Sequence, residues 1–365
     1  LLRWKDKTRG ELLCNSAFPA QLTAQAKLVC AAALSSDGVE PLSEQAEALI
    51  CADSDPAVIH AWALEEGCLV GYGNVDCRRI PTIEVVVHPL YRRQGIGEKL
   101  LCTLLGSATD YSAQPDDSGT ADDADKRPMV WAHGDLSAAS HLAQKLHLER
   151  SRELLQMSCS PANLTTALPS LPANSEILTF TEADNRFGET AMNAEIVRVN
   201  NAAFSWHPEQ SGWDTAQVVS HRNEPWFTSD DCFVALAPGD GSTTFGDAGA
   251  VSGTSGARPR VAGFVWTKIH GVSTDASTEL STGKIGELYL VGVDPAMQGQ
   301  RIGTVLTSLA LRQLATRHVS QFILYVEGDN TAALKVYERH GFTISRCDVA
   351  YRYDRCKYPL TCLLY

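Results

Sequence analysis

A mixed α/β fold, built twice in tandem, is what this sequence predicts, and three observations predict it. The first is a repeat. Val85-Val86-Val87-His88-Pro89-Leu90-Tyr91-Arg92-Arg93-Gln94-Gly95-Ile96-Gly97 returns 206 positions later as Val291-Gly292-Val293-Asp294-Pro295-Ala296-Met297-Gln298-Gly299-Gln300-Arg301-Ile302-Gly303. The second is a change of period inside each copy, from a short β-branched run, through a Pro-marked turn and a polar Gly-bearing loop, to apolar residues at helical spacing. Those residues are Leu100, Leu101, Leu104 and Leu105 in the first copy and Val305, Leu306, Leu309 and Leu314 in the second. The third is size: 365 residues accommodate two domains, and a 44% hydrophobic content supports a core in each.

The first domain is expected over residues 1–160 and the second over 176–365. Residues 161–175 have linker composition, with Pro161, Pro169 and Pro172 and few charges. Three stretches read as mobile surface insertions with no part in the chemistry: Ser112 to Arg127 is acidic, Pro238 to Arg260 is rich in Gly, Ser and Ala, and His270 to Gly283 is rich in Ser and Thr. In the second domain the order is strand, helices, strands, motif helix, strand, helix, strand. Ile177 to Phe180 opens it, Phe233 to Leu236 and Val261 to Trp266 read as antiparallel strands, and Glu287 to Val293 is the central strand. Phe322 to Val326 is the next strand, followed by a helix from Thr331 to His340 that Gly341 ends as a left-handed cap.

The formal charge of −12 argues against a nucleic-acid partner. No apolar run reaches membrane-spanning length and no N-terminal stretch has signal-peptide organisation, so a cytoplasmic protein, monomeric and away from membranes, is expected. Eleven scattered cysteines without CxxC pairs read as reduced thiols, not as a disulfide framework or a zinc site, and no metal is expected.

A Gly-bearing loop at a helix N-terminus offers several backbone N–H groups to one anion. Both loops resemble the acetyl-coenzyme A pyrophosphate loop of the GCN5-related N-acetyltransferases, written [QR]-x-x-G-x-[GA] after a strand. The resemblance implies the family's mixed α/β fold, whose fourth and fifth strands splay apart to admit the pantetheine arm, and acetyl-CoA as co-substrate. It assigns coenzyme contacts to Val85, Val86, Val87, Arg93, Gln94, Gly95, Ile96, Gly97 and Glu98 in the first copy. In the second these are Val291, Gly292, Val293, Gln298, Gly299, Gln300, Arg301, Ile302, Gly303 and Thr304. Arg301 stands where the first loop has Gly95; a side chain there requires a helical backbone, and its cation could lie beside the phosphates. Asn330-Thr331-Ala332-Ala333-Leu334-Lys335-Val336-Tyr337-Glu338-Arg339-His340-Gly341-Phe342 resembles the family's N-x-x-A-x-x-x-Y-x-x-x-G-F segment in full. Residues Asn330 to Lys335 are thereby coenzyme contacts, and Tyr337, two turns on, is placed near the departing sulfur.

Acetyl transfer from a thioester to an amine needs a neutral amine, a stabilised carbonyl oxygen, a leaving thiolate and two substrates held together. A bulge within Val291-Gly292-Val293 would turn a backbone N–H toward the carbonyl. Glu287 shares a strand face with Tyr289, Val291 and Val293 by strict alternation, and a carboxylate in an apolar strand is costly unless paired or used. Glu287 is the expected general base, acting through water, and Tyr337 the expected acid.

A closer likeness, carried by Asp37 to Gln45, Val199 to Phe204 with His207 to Gln210, Phe264 to His270, Trp131 to Gly134 and both loops, is to tandem actinobacterial members of this family. Those members acetylate the cysteinyl amine of a small thiol, Cys-GlcN-Ins. The likeness implies that Glu44, Glu209, Lys268, Glu287 and Tyr325 contact that thiol substrate. Two alternatives share the fold: a tandem acetyltransferase for another small amine, such as an aminoglycoside or polyamine, and a coenzyme-sensing module without turnover. At the 206-residue offset Pro81 falls on Glu287; matching Asp135 to Asp329 puts Leu136 on Asn330 and Ala143 on Tyr337. The first domain is therefore expected to hold coenzyme without catalysing.

Overall fold

The computed structural model describes residues 4–5, 10–112, 127–164, 170, 175–206, 210–237, 260–270 and 283–354. Glu209 and nearly all of the three expected insertions lie outside the described residues. The chain divides into two compact units.

The first unit begins with β1 (Trp4–Lys5), β2 (Gly10–Asn15), α1 (Thr23–Asp37) and α2 (Glu44–Ala48). It continues through β3 (Val58–Glu65), β4 (Cys68–Asp76), β5 (Thr82–Val87), α3 (Ile96–Ser112), β6 (Met129–Ala132), α4 (Ser137–Lys145) and β7 (Glu149–Cys159). The repeated motif supplies β5, a 3₁₀ turn started by Pro89, and α3. Leu100, Leu101, Leu104 and Leu105 recur on one face of α3 and pack with Ile83 and Val130 into a core. Burying each contributes about 1.5–3 kcal/mol relative to exposure. On the other face of the sheet α1 packs Ala26, Val29, Cys30 and Ala33 against Trp62, Tyr72 and Val86.

The second unit contains β8 (Glu176–Thr179), α5 (Phe180–Phe187), α6 (Glu189–Ala203), α7 (Thr215–Arg222), β9 (Phe233–Leu236), β10 (Val261–His270) and β11 (Lys284–Val293). Then come α8 (Ile302–Thr316), β12 (Val319–Glu327), α9 (Thr331–Arg339) and the start of β13 (Thr343–Arg352), which from Arg346 on belongs to the first unit. Thr179 and Glu182 form a reciprocal capping box that starts α5. Gly341 follows α9 with φ 84°, as a left-handed residue at a helix end should. The element order is the one expected, β9 and β10 pair antiparallel as the sequence suggests, and β10 runs on to His270.

Sequence composition and sheet membership disagree about the boundaries. The first unit is Leu1–Leu155 with Arg346–Tyr365, and the second is Gln156–Ser345. The divisions thus fall inside β7 and β13, not in the Pro-rich stretch after residue 160. The reason is pairing and burial. Val349, Ala350, Tyr351 and Arg352 pair with β6, and Val349, Tyr351 and Tyr353 are buried in the first core. Linker composition marks where the backbone is irregular; it does not report which sheet a strand joins.

Among the described pairings, each unit has a parallel strand pair that parts early. β5 pairs with β6 only at Thr82↔Met129 and Ile83↔Val130. β11 pairs with β12 from Lys284↔Val319 to Leu288↔Leu324, although β11 continues to Val293 and β12 to Glu327. Beyond the last pair the two strands fork.

Candidate active site

The fork of the second unit opens between Tyr289 and Tyr325, the first residues past the last pair. A register shift on the other side of β11 explains its shape. Trp266 faces Leu290 while Thr267 faces Leu288, so Tyr289 is the extra residue of a β-bulge. The bulge was expected at Val291 to Val293 and lies two residues earlier. Gly292 instead sits in regular register opposite Phe264, where a Cβ would meet the Phe264 ring at 2.7 Å. The bulge also overturns the expected single face. Val293 approaches Gly303 of α8, and Gly286 abuts Leu314 of the same helix. Tyr289 and Leu290 pack into the core on the opposite side, with Trp266. Val291 and Val293 therefore face α8, while Glu287 and Tyr289 lie on the other face. The extra residue inverts the alternation.

Backbone donors line the fork. Asp294 N–H bonds Ala262 O of β10 at 2.9 Å. By alternation the Val291 and Val293 N–H groups point away from β10, into the gap. The gap leads to the loop Gln298 to Arg301 and the start of α8. Gly299 (φ 78°) and Arg301 (φ 65°) are both left-handed there. Arg301 thus departs from the helical backbone expected of it. In the first unit Arg93 (φ 64°) and Gly95 (φ 81°) occupy the matching places. The two loops share one backbone path and exchange which left-handed position carries glycine. A side chain in this region costs about 1–2 kcal/mol, so each loop bears that cost once.

Asn330 caps α9, its Oδ1 accepting the Ala333 N–H at 3.1 Å. Tyr337 is buried on the same helix with its ring edge-on to Phe342, centroids 6.1 Å apart. Burial pushes its hydroxyl pKa up to about 12.

Glu287 is 6% exposed and stands opposite Lys268 across the β10–β11 ladder. His270 Nε2–H donates to Glu287 Oε2 at 2.7 Å. Sequence reasoning missed this histidine, which lies diagonally across the ladder from Glu287; an imidazole two residues after Lys268 on a strand was the available signal. Lys268 Nζ lies 5.7 Å from the Trp226 ring centroid and 5.9 Å from that of Tyr289. Tyr325 is 38% exposed, and its hydroxyl accepts from Gln156 Nε2–H at 2.8 Å. Glu287, Lys268 and Tyr325 therefore gather around the fork of the second unit. Glu44 is exposed at the start of α2 in the first unit.

The first unit repeats this frame without the bulge. β4 and β5 run in unbroken register from Gly71↔Val87 to Asp76↔Thr82. His88 N–H bonds Val70 O at 2.9 Å, so the Val85 and Val87 N–H groups turn toward the gap. Arg92 at the loop is bound to the Asp37 carboxylate through both Nη atoms, at 2.7 Å each, and its Nε–H donates to Val87 O.

Comparison with known proteins agrees with this geometry. The model of the acetyltransferase (GNAT) family matches residues 28–114 and 205–342. The chain belongs to that family. Among curated relatives, a mycothiol acetyltransferase of Gordonia bronchialis is 40% identical over 332 residues, covering 90% of this chain and 91% of its own. One from Nocardia farcinica is 36% identical over 358 residues, 96% and 97% of the two chains. Among solved structures, a GCN5-related N-acetyltransferase from Sphaerobacter thermophilus superposes with TM-score 0.65 at 18% identity over 94% of this chain and 95% of its own. A tandem GNAT protein from the clavulanic acid pathway gives 0.60 at 15% identity, over 94% and 98%. The GNAT identity fits the fork, the two loops and the strand order, and it makes the chain an acetyl-CoA-dependent acetyltransferase.

Proposed function

We propose that the second unit transfers the acetyl group of acetyl-CoA to the cysteinyl amine of desacetylmycothiol (Cys-GlcN-Ins), the last step of mycothiol synthesis. The observation that carries the reading is Glu287. It is a buried carboxylate one strand pair before the fork, held by His270, in a chain resembling mycothiol acetyltransferases over nine-tenths of its length.

The coenzyme's pyrophosphate lies on the loop Gln298 to Thr304, and its pantetheine arm runs along Val291 and Val293 past Asn330 to Lys335. The reactive carbonyl then reaches the fork apex beside Tyr289, where outward N–H groups of β11 stabilise its oxygen. The acceptor is an α-amino group, whose ordinary pKa of about 7.7–8.0 asks only for a mild base. Glu287 accepts its proton, directly or through one water, while His270 holds the carboxylate in place. Lys268 and Tyr325 flank the polyhydroxylated remainder of the substrate, and Glu209 is assigned to it from the sequence alone. The amine adds to the carbonyl, the C–S bond breaks, and coenzyme A leaves as a thiolate. Tyr337 is the acid, but with its pKa near 12 it keeps most of its proton against a thiol of ordinary pKa about 8.5, so it acts as a hydrogen-bond donor to the departing sulfur.

Release of coenzyme A thiol measured with Cys-GlcN-Ins and a panel of aminoglycosides and polyamines tests the assignment. Turnover is expected with Cys-GlcN-Ins. Efficient acetylation of another amine with none of Cys-GlcN-Ins would replace the substrate, and binding of acetyl-CoA without any turnover would favour the sensing module.

A further inference from the structure

Beside the second unit's fork lies an aromatic pair that the proposed chemistry leaves unused. It is built on a turn. Glu224-Pro225-Trp226-Phe227 closes through Phe227 N–H to Glu224 O at 2.9 Å, with Pro225 at the second position, where its fixed φ suits a turn. Phe227 enters the core, its ring centroid 5.6 Å from that of Trp266 and 6.1 Å from that of Phe180. Arg222, at the end of α7, braces it. The guanidinium lies 5.4 Å from the Phe180 ring and 5.8 Å from the Phe227 ring, while its Nη atoms bond Asp184 and Asn193. With Phe227 fixed, Trp226 beside it is half-buried and meets Tyr289, centroids 4.7 Å apart and planes at 52°. Tyr289 comes within its reach as the bulge residue of β11.

The pair carries a cation. Lys268 Nζ lies 5.7 Å from the Trp226 centroid and 5.9 Å from that of Tyr289, within the reach at which the negative face of a ring attracts an ammonium. Lys268 also stands opposite Glu287 on the ladder. A lysine in that place can fold onto the carboxylate, and an ammonium bound there favours the ionised acid and weakens it as a base. The two rings give the charge a different seat. They also restrict it: ordering a free lysine side chain on binding costs affinity, and a cation already seated costs less. An ammonium so held offers three N–H donors to oxygen acceptors. A polyhydroxylated acceptor supplies those oxygens, and its amine comes to Glu287, directly across the ladder.

We propose that Trp226 is a positioning residue for the acceptor: with Tyr289 it seats the Lys268 ammonium beside the fork, where that ammonium donates to hydroxyl or carbonyl oxygens of the acceptor. The proposal rests on the reading that Lys268 contacts the acceptor. The test is steady-state kinetics of the full chain with Cys-GlcN-Ins, read as separate effects on kcat and on each KM. Trp226→Leu should raise the KM for Cys-GlcN-Ins by roughly three- to tenfold, the range a cation–π contact supplies, with kcat and the KM for acetyl-CoA within about twofold of wild type. Trp226→Phe, which retains a ring face, should recover part of the loss. Lys268→Met keeps the apolar stem, removes the charge and should itself raise the acceptor KM. In that background neither Trp226 substitution should raise it further, because both act through the ammonium. A role confined to packing would give the same increment in both backgrounds, and Trp226→Phe carries the comparison if Trp226→Leu fails to fold. Such additivity, or an unchanged acceptor KM in folded Trp226→Leu, would overturn the role of Trp226 alone. An unchanged acceptor KM in Lys268→Met would remove the cation from acceptor binding and this role with it. No turnover of Cys-GlcN-Ins by the wild-type chain would overturn the substrate reading first, an outcome seen before any substitution is made.

Discussion

The tightest constraint on the proposed coenzyme cleft is a contact that does not yet exist. A methyl group at Gly292 would lie 2.7 Å from Phe264 Cε1 and 3.0 Å from its Cζ. Carbon pairs settle at about 3.5–4.0 Å, so the ring or the strand has to yield by close to 1 Å. Phe264 has little room to yield: it is fully buried, and its ring centroid lies 6.0 Å from that of Trp266 in the same core. Overfilling such a site costs about 1–3 kcal/mol, and the backbone is the softer partner. Gly292→Ala should therefore destabilise the second unit by about 2 kcal/mol and raise the Kd for acetyl-CoA, since Val291 and Val293 flank the displaced residue. Urea unfolding followed by tryptophan fluorescence reads the first effect, because Trp266 reports on this core; calorimetry reads the second. Gly303→Ala is the control. Its Cβ would meet only Val293 Cγ2, at 3.4 Å, so stability should be unchanged or gain up to about 1 kcal/mol from helix propensity. Phe264→Leu combined with Gly292→Ala should show a favourable coupling of at least about 1 kcal/mol. A Gly292→Ala protein within about 0.5 kcal/mol of wild type, or strict additivity with Phe264→Leu, would refute the reasoning.

Two further outcomes follow from the titrating groups. Glu287→Gln should lower kcat by about 10²–10⁴-fold and Tyr337→Phe by less, since the thiolate leaves well unaided; near-normal kcat for Glu287→Gln at every pH would remove it from the mechanism. Thermal melts from pH 5 to 10 should show the buried pairing of His133 with Glu84 (3.1 Å) and Asp348 (3.2 Å) in the first unit as an alkaline loss of stability. Its folded pKa of about 9 exceeds the ordinary 6.5, so the contribution is complete below about 6.5 and fades as pH rises through 9. Asp348, held below its ordinary 3.8 by His133 and Arg346 despite burial, acts oppositely, its contribution present above that value and lost as pH falls through the lowered one. His133→Gln should flatten the alkaline limb, and an unchanged limb would show that another group controls it.

Much of the frame was legible because it depends on local pattern. The strand–turn–loop–helix repeat, the leucine face of α3 and the Gly341 cap follow from residue spacing and from the few residues that tolerate a left-handed backbone. What escaped depends on contacts between distant segments. Nothing near Arg301 announces that its backbone copies Gly95, because a non-glycine left-handed residue is a cost that the surrounding loop imposes. His133 and Asp348 are 215 positions apart, and only the β6–β13 pairing brings them together. The His270 contact depends on a ladder interrupted by residues outside the described set, and Glu84 was concealed by an assumption about register.

That register is where the two units part. A fixed offset sets Glu287 on Pro81, but the offset holds only from Leu290 onward. Tyr289 is an extra residue, so upstream of it Glu287 matches Thr82 and Leu288 matches Ile83. Both forks open just after that last pair, Leu288↔Leu324 in one unit and Ile83↔Val130 in the other. With the bulge, the carboxylate stands one pair before the opening, clamped to β10 by His270. Without the bulge, the carboxylate on that strand is Glu84, one residue past the opening, where the nearest cation is His133 on the opposite strand. A carboxylate before the fork is placed to serve a reaction in the gap; the one beyond it is paired with His133 at 3.1 Å. The two units thus differ in the placement of a single acid relative to the fork, and β-strand register sets that placement.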